Sequence, residues 1–389
     1  MTFVVRVEGR RWRRHLAEVR DAVETASGGR LVPVVKGSGY GLGQGLVAAE
    51  SDALGVDCVA VGTVVEVAEV AAEFPRDVLV LEPYEPRDEV AASVWDAVAA
   101  APYADRVVRT VASAAALAEL ARAPESGSAP VRVLVEGLTS VRRFGLDDAE
   151  LLAALDDSSV QEALADGRLA VAGLALHLPL AAGTPPRVDQ VVAWARRWAE
   201  LRERLRDTAP GTDAGMADAA TLWVSHLADD ELASVREALP GADLRPRVGT
   251  RLWLGDRDAL KAAGVVLAVH PLDGAVPAGY RQRKGPRDGT LVVVGGGTSH
   301  GVALAAPTPA TTLRQRAVAA GTGALEAAGR ALSPFRWAGA RRWFAEPPHM
   351  HVSLLWLPGG TVVPRVGDEL PCEVRFTTLR PDAVVVSDR

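Results

Sequence analysis

Lysine is almost missing from this chain. Of 43 lysines and arginines in 389 residues, only Lys36, Lys261 and Lys284 are lysine, so arginine serves wherever a surface cation is all that is wanted. Cysteine is nearly as scarce. Cys58 and Cys372 are too few for a disulfide framework or a cysteine-built zinc site. No apolar run approaches the roughly 20 residues that a membrane helix needs. Residues 1–8 alternate like a strand and lack the apolar core of a signal peptide. A net charge of -6 with a pI of about 5.7 gives no reason to expect a nucleic-acid partner. Tyrosine is confined to Tyr40, Tyr84, Tyr103 and Tyr280, and none follows Tyr280. These absences point to a soluble cytoplasmic protein with no membrane and no nucleic-acid partner.

What is present is a chain long enough for one large domain and a smaller one. Residues 3–9 read as a short strand and 11–26 as a helix, with Trp12, His15, Leu16, Val19 and Val23 at helical spacing. Apolar strand candidates then recur at 31–36, 58–63, 77–82, 106–111, 131–136, 169–176, 221–225 and 244–250. Alanine-rich helical patterns such as 64–73, 89–100 and 188–206 separate them. Eight strands alternating with helices predict a (β/α)8 TIM barrel over residues 10–255. An open doubly wound sheet is the rival, because alternation alone does not separate the two. After about Asp256 strand-like segments dominate, at 264–269, 289–294, 351–356, 369–376 and 383–386, with one helix at 312–331. Residues 256–389 are therefore expected to form a mostly β C-terminal domain.

The ends of the barrel strands are unusually polar. Val34-Val35-Lys36-Gly37-Ser38-Gly39-Tyr40-Gly41 places a lysine where an apolar run meets a glycine-rich turn. Such a lysine can lose its proton and attack a carbonyl, or it can simply snorkel at a strand end. Strand five ends at Glu136 and leads to Arg142-Arg143-Phe144-Gly145, strand six ends at His177, and strand seven ends at Ser225-His226. Strand eight carries Arg247-Val248-Gly249-Thr250. Each of these could be structural by itself. Together, a lysine, an imidazole, two arginines and free amides at one rim suit an anionic aromatic cofactor.

These residues resemble the alanine racemase family, pyridoxal-phosphate enzymes of fold type III, over nearly the whole chain. The stretch from Val34 to Gly41 resembles the family's cofactor-lysine motif. Arg143-Phe144-Gly145 and Arg247-Val248-Gly249 match its two Arg-x-Gly motifs, and His177 matches its strand-six histidine. Val276-Pro277-Ala278-Gly279 and Pro286-Arg287-Asp288 match the start of its C-terminal domain. The resemblance implies a Schiff base from Lys36 to pyridoxal 5'-phosphate, with Tyr40, Ser225, Gly249 and Thr250 at the phosphate. It implies His177 on the ring face, Arg143 near the ring hydroxyl and Arg247 facing the ring nitrogen. It further implies that the first strand, 1–9, joins the C-terminal domain, that the substrate is an amino acid, and that a head-to-tail homodimer shares its active sites.

The chain departs from that family in the C-terminal domain. The racemases place a catalytic tyrosine from the partner in a Gly-Tyr-x-Asp-Gly motif. Here the stretch is Gly297-Thr298-Ser299-His300-Gly301, with Thr298 at the tyrosine position. The Met-Asp pair of their substrate loop is represented by Met350-His351, next to His349. Glu136 stands where many racemases carry a carbamylated lysine, and could supply the same negative charge beside Arg143. Imidazole is a competent base near neutrality, so His300 or His351 is expected to replace the tyrosine, with Met350 and His349 binding substrate. The plain alternative is that these histidines bind an anion or merely pack. A metal held by His349, His351 and His300 is a further alternative, but the ligand motif of metal-carrying relatives is absent, and none is expected. The expected activity is that of an amino-acid racemase or epimerase. A decarboxylase or lyase on the same fold, and a non-catalytic pyridoxal-phosphate carrier, are the alternatives. Gly295-Gly296-Gly297 lacks the dinucleotide fingerprint and its βαβ setting.

Overall fold

β1 (Phe3–Glu8) is a run of buried apolar residues interrupted by the exposed Arg6. The 19-residue helix Gly9–Ser27 follows and buries Trp12, Leu16, Val19 and Val23, whose spacings of three and four make one stripe. The structure, a computed structural model, describes residues 2–123, 129–181, 185–272, 276–285, 288–304, 312, 314 and 331–387. Its contacts divide the chain into two compact units. One holds Met1–Arg14, Ser38–Gly43 and Asp256–Arg389; the other holds His15–Gly37 and Gln44–Gly255.

The second unit is built on eight parallel strands. They are β2 (Val32–Pro33), β3 (Cys58–Val61), β4 (Asp77–Pro83), β5 (Val107–Val111), β6 (Val131–Gly137), β7 (Leu169–His177), β8 (Leu222–Ser225) and β9 (Leu244–Val248). They pair in the order β2-β9-β8-β7-β6-β5-β4-β3. A parallel bridge between Val34 and Ala60, with Val35 N donating to Ala60 O at 2.8 Å, joins the two ends. An open doubly wound sheet would leave two unpaired edges, so the closure decides for the barrel. Its interior is packed, with Val32, Ala60, Leu79, Val108, Leu134 and Trp223 in one buried cluster. Strand-end residues therefore cannot point into an empty lumen and are displayed at the rim.

The first unit carries β10 (Leu260–Pro271), β11 (Pro277–Ala278), β12 (Arg283–Lys284), β13 (Thr290–Gly295), β14 (Leu332–Trp337), β15 (Ala340–Phe344), β16 (Val352–Leu357), β17 (Glu369–Pro371) and β18 (Ala383–Ser387). The main sheet runs β14-β15-β16-β13-β10-β1-β18, with β17 also on β10, and β11 and β12 form a separate pair. β1 lies antiparallel to β10 and parallel to β18. Among the described residues no helix is long and apolar enough to cross a membrane.

Three expectations change. The strand read at 31–36 keeps only two ladder residues, and Lys36 lies past its end, before Gly37 at φ +67°. The strand read at 369–376 stops at Pro371, and a 3-10 turn, Phe376–Thr378, follows. The hairpin β14–β15 is absent from the sequence reading, although Ala338 and Gly339, both at positive φ, form a two-residue turn of the kind hairpins favour. The helix expected at 312–331 falls, apart from Thr312, Arg314 and Ala331, outside the described residues.

Leu134 is fully buried at the centre of the barrel cluster. Leu134→Ala should lower unfolding stability by about 2–5 kcal/mol, read from the denaturation midpoint at constant slope.

Candidate active site

Strand register gathers the rim. β7 pairs with β8 so that His177 lies opposite Ser225, and β8 pairs with β9 so that Ser225 lies opposite Arg247. β9 in turn pairs Arg247 with Val32 at the start of the strand that leads to Lys36. Ser225 Oγ lies 3.1 Å from His177 Nδ1. Thr139 Oγ1 donates to His177 O, tying the loop after β6 to the end of β7. Arg143 lies on that loop, exposed and with its guanidinium 5.1 Å from the ring centre of Phe144. The loop is closed by Leu138 N to Leu146 O (2.8 Å) and Leu146 N to Glu136 O (2.9 Å). Gly145 makes the closure possible: its φ is +119°, and a Cβ there would lie 2.6 Å from Gly137 C.

Arg247 is the electrostatic centre. It is buried, and Nη2 donates to Leu176 O at 3.0 Å, while Nε is buried without a hydrogen-bond partner. Burial pushes its pKa down to about 10; Glu136 opposes the shift and Arg143 adds to it. The guanidinium therefore stays charged near neutrality. Glu136 is buried as well, and burial raises its pKa against the pull of Arg247 and Arg143. Burial, helped by the cations Arg143 and Arg247, pushes His177 down to about 3. His226 is lowered for the same leading reason, burial, although the hydrogen bond its Nδ1 donates to Leu178 O at 2.7 Å works to raise it. The two imidazoles lie edge to face, 4.7 Å between centres. Lys36 is exposed as a whole residue, but its ammonium is partly desolvated, and together with Arg143 this holds its pKa below the ordinary lysine value. Glu66 pulls the other way.

Glu66 is a residue the sequence reading missed. Its carboxylate accepts from Gly37 N at 2.8 Å and from Gly62 N at 2.6 Å, fixing the backbone on which Lys36 sits. The available signal was an acid five residues past the end of β3. Trp253 is a second one: Nε1 donates to Val34 O at 2.8 Å. Trp253 sits in the short helix Thr250–Leu254, which Gly249 opens by accepting from Leu252 N and Trp253 N. The structure thus brings together Lys36, Glu136, Arg143, His177, Ser225 and Arg247, with Gly249 and Thr250 on the turn that follows Arg247. Tyr40 is buried in a left-handed conformation (φ +57°) and belongs to the other unit, where Ser38 Oγ donates to Leu379 O at 2.8 Å.

The remaining candidates gather at one end of the first unit. Two loops are zipped together there by Thr298 N to His349 O (2.9 Å), Ser299 N to Met350 O (3.0 Å) and Gly296 N to His351 O (2.9 Å). Thr298, Met350 and His351 are exposed. His300 is buried, with Nδ1 accepting from Gly297 N at 3.2 Å and Nε2 donating to Asp382 Oδ1 at 3.1 Å. Both ring nitrogens are occupied, which corrects the expectation of an acid–base role: no ring lone pair is left to take a proton. Asp382 also accepts from Thr2 N and Phe3 N; burial works to raise its pKa, but these bonds hold it well below the carboxylate range. His351 meets His300 edge to face, 5.9 Å between centres. His349 turns instead to Glu346 at 2.7 Å. Among the described residues no three His, Cys, Asp or Glu side chains gather as a metal ion would need.

Because His177 is held to about 3 in the fold while an unfolded histidine titrates near about 6.5, the unfolded chain takes the proton first. Its contribution to stability is full above about 6.5 and is lost as pH falls toward 3. The C2–H resonance of His177 should stay flat between pH 8 and pH 5.

Comparison with known proteins agrees with this architecture. The family model described as the alanine racemase N-terminal domain matches residues 7–236. The fold is similar to that of the alanine racemase from Streptomyces coelicolor A3(2) (TM-score 0.63, 17% identity, 100% of this chain and 98% of that one). It is also similar to the alanine racemase from Bartonella henselae with covalently bound pyridoxal phosphate (0.60, 15%, 100% of both chains). The alanine racemase from Oenococcus oeni is a third (0.62, 17%, 99% and 98%). At these identities the likeness establishes the fold alone. No curated protein matches the sequence.

Proposed function

Since the chain belongs to the alanine racemase family, we propose that it is a pyridoxal-phosphate enzyme acting at the Cα of an amino acid or amino-acid derivative, as a racemase or epimerase. The observation that carries this reading is Arg247: a buried cation whose Nε has no partner. A neutral ring nitrogen, which accepts one hydrogen bond, would satisfy it. The other rim residues fit the same group. Lys36, with its lowered pKa, would hold the cofactor's carbonyl carbon through its amine. Ser225 and the amides of Gly249 and Thr250 would hold the phosphate, His177 the ring, and Arg143 the ring hydroxyl.

Bound there, the cofactor supplies an electron-withdrawing ring that acidifies the Cα–H bond. The protein's part is to restrain that effect and to move protons. Arg247 stays cationic near neutrality and donates a hydrogen bond without giving up its proton. That weakens the ring as an electron sink and favours proton exchange at Cα over deeper carbanion chemistry. His177, held neutral, adds no second positive charge. Glu136 offsets the charge of Arg143 and Arg247 without any lysine modification. Lys36 serves as one of two proton-transfer groups. The second would come from the loops bearing Thr298, Met350 and His351, in a head-to-tail homodimer whose copies complete each other's sites. Met350 and His349 would also contact substrate. A cytoplasmic location is part of this reading, supported by Cys58 and Cys372, both buried and free.

A decarboxylase or lyase on the same fold is the second reading. It is favoured by the occupied nitrogens of His300 and by a threonine at position 298, which together remove two candidates for an opposing base.

The protein should take up pyridoxal phosphate with a visible, borohydride-reducible absorbance that Lys36→Ala abolishes. In deuterated water it should exchange the Cα proton of at least one amino acid in a panel, and Lys36→Ala should slow this by about 10²–10⁴-fold. Absorbance that survives Lys36→Ala sinks the cofactor assignment. Carbon dioxide release or elimination in place of exchange transfers the case to the second reading.

A further inference from the structure

Glu346 stands just past β15 with its side chain only 3% exposed. A carboxylate buried to that degree needs donors, and it has three. Tyr280 N reaches Oε1 at 3.1 Å, Arg281 N reaches Oε2 at 3.2 Å, and His349 Nε2 lies 2.7 Å from Oε1. Burial works to raise its pKa, yet these bonds hold it below the ordinary carboxylate value, so it is an anion near neutrality. The turn that brings the two amides in passes through Gly279 at φ +74°, where a Cβ would sit 2.5 Å from the carboxylate carbon. The approach is thus open to glycine alone.

His349 is held as firmly. Its backbone N donates to Val352 O at 2.9 Å, and its O accepts from Thr298 N. Its ring lies against Tyr280, 4.7 Å between centres, and its side chain keeps 25% exposure. A fixed carboxylate acceptor selects the tautomer with the proton on Nε2, which leaves the lone pair on Nδ1. Among the described residues nothing hydrogen-bonds that nitrogen. The three histidines of these loops therefore differ in kind. Both nitrogens of His300 are used; His351 has a ring contact but no orienting acid among the described residues; His349 has an orienting acid and a vacant nitrogen.

We propose that His349, oriented by Glu346, is the acid–base group opposing Lys36, doing with Nδ1 what the absent tyrosine cannot. This rests on the proposed cofactor enzyme and on the β unit of one copy meeting the Lys36 site of another. The step balances without redox. The Cα–H bond breaks as an N–H bond forms at Nδ1, and the imidazolium is stabilised by Glu346 as the acid of a catalytic triad stabilises its histidine. The electron pair would be held by the bound cofactor and would return to Cα as the Lys36 ammonium delivers a proton to the opposite face, with proton exchange to solvent resetting both groups. The reverse reaction exchanges the two roles. His349 would be catalytic, whereas Glu346 is a positioning residue.

The test is Cα deuterium exchange measured separately for each enantiomer in His349→Gln, Glu346→Gln and His351→Gln, with cofactor absorbance recorded for each. His349→Gln leaves the Tyr280 and Arg281 amide bonds to Glu346 in place, so the fold should persist. It should lose exchange of one enantiomer by about 10²–10⁴-fold while retaining the other and the absorbance. Glu346→Gln should lose the same enantiomer. In the cofactor-free protein, 15N resonances should show His349 protonated at Nε2 and bare at Nδ1, a pattern that Glu346→Gln removes. Equal loss of both enantiomers, loss that follows His351→Gln, or a proton found on Nδ1 overturns the dyad. Wild-type protein that exchanges neither enantiomer overturns the proposed function itself, and the catalytic role of the dyad with it.

Discussion

A guanidinium taken out of water is costly unless its charge is offset, and Arg247 is such a group. Much of the rim can be understood from how it is accommodated. Glu136 is buried on β6 and acts on Arg247 as its counter-charge. Burial, with the positive charges of Arg143 and Arg247 added to it, depresses the two neighbouring bases, keeping His177 neutral and easing the proton from Lys36. Burial and the two guanidinium charges therefore act together on an imidazole and an amine at other strand ends. The closed sheet is what allows it: a packed interior forces these side chains to the rim, where they act on one another at reduced dielectric.

In the β unit two carboxylates gather donors. Asp382 collects the amides of Thr2 and Phe3 and the imidazole of His300, while Glu346 collects two amides and the imidazole of His349. Both are satisfied carboxylates, and both orient a histidine. The difference lies in the other ring nitrogen, which Gly297 N occupies in His300 and nothing described occupies in His349. The acid–histidine pair leaves no ring nitrogen open in the first case and leaves Nδ1 open among the described residues in the second.

Much of this was readable before any coordinates. Apart from the first, which was read three residues too long at its end, strand positions in the barrel are found to within a residue or two because buried parallel strands are continuous apolar runs, and their polar terminators mark the rim. The hairpin β14–β15 escaped because its strands carry Arg336, Arg341 and Arg342 and its turn is an inconspicuous Ala338-Gly339 pair. Glu66 and Trp253 escaped for another reason: each acts through a backbone amide or carbonyl, and a backbone partner has no sequence signature.

The sequence by itself determined the alternation of strands and helices, the change to a mostly β C-terminal part and most of the candidate residues at the strand ends. Periodicity, the lysine kept among arginines, and the threonine at position 298 are local properties and need no fold to be seen. Only the tertiary structure decided which histidine retains a usable nitrogen. His300 and Asp382 are 82 residues apart, and Glu346 and Tyr280 are 66 apart. Whether a lone pair is already taken depends on partners that only folding brings within 3 Å or so, and no spacing rule in the chain records that.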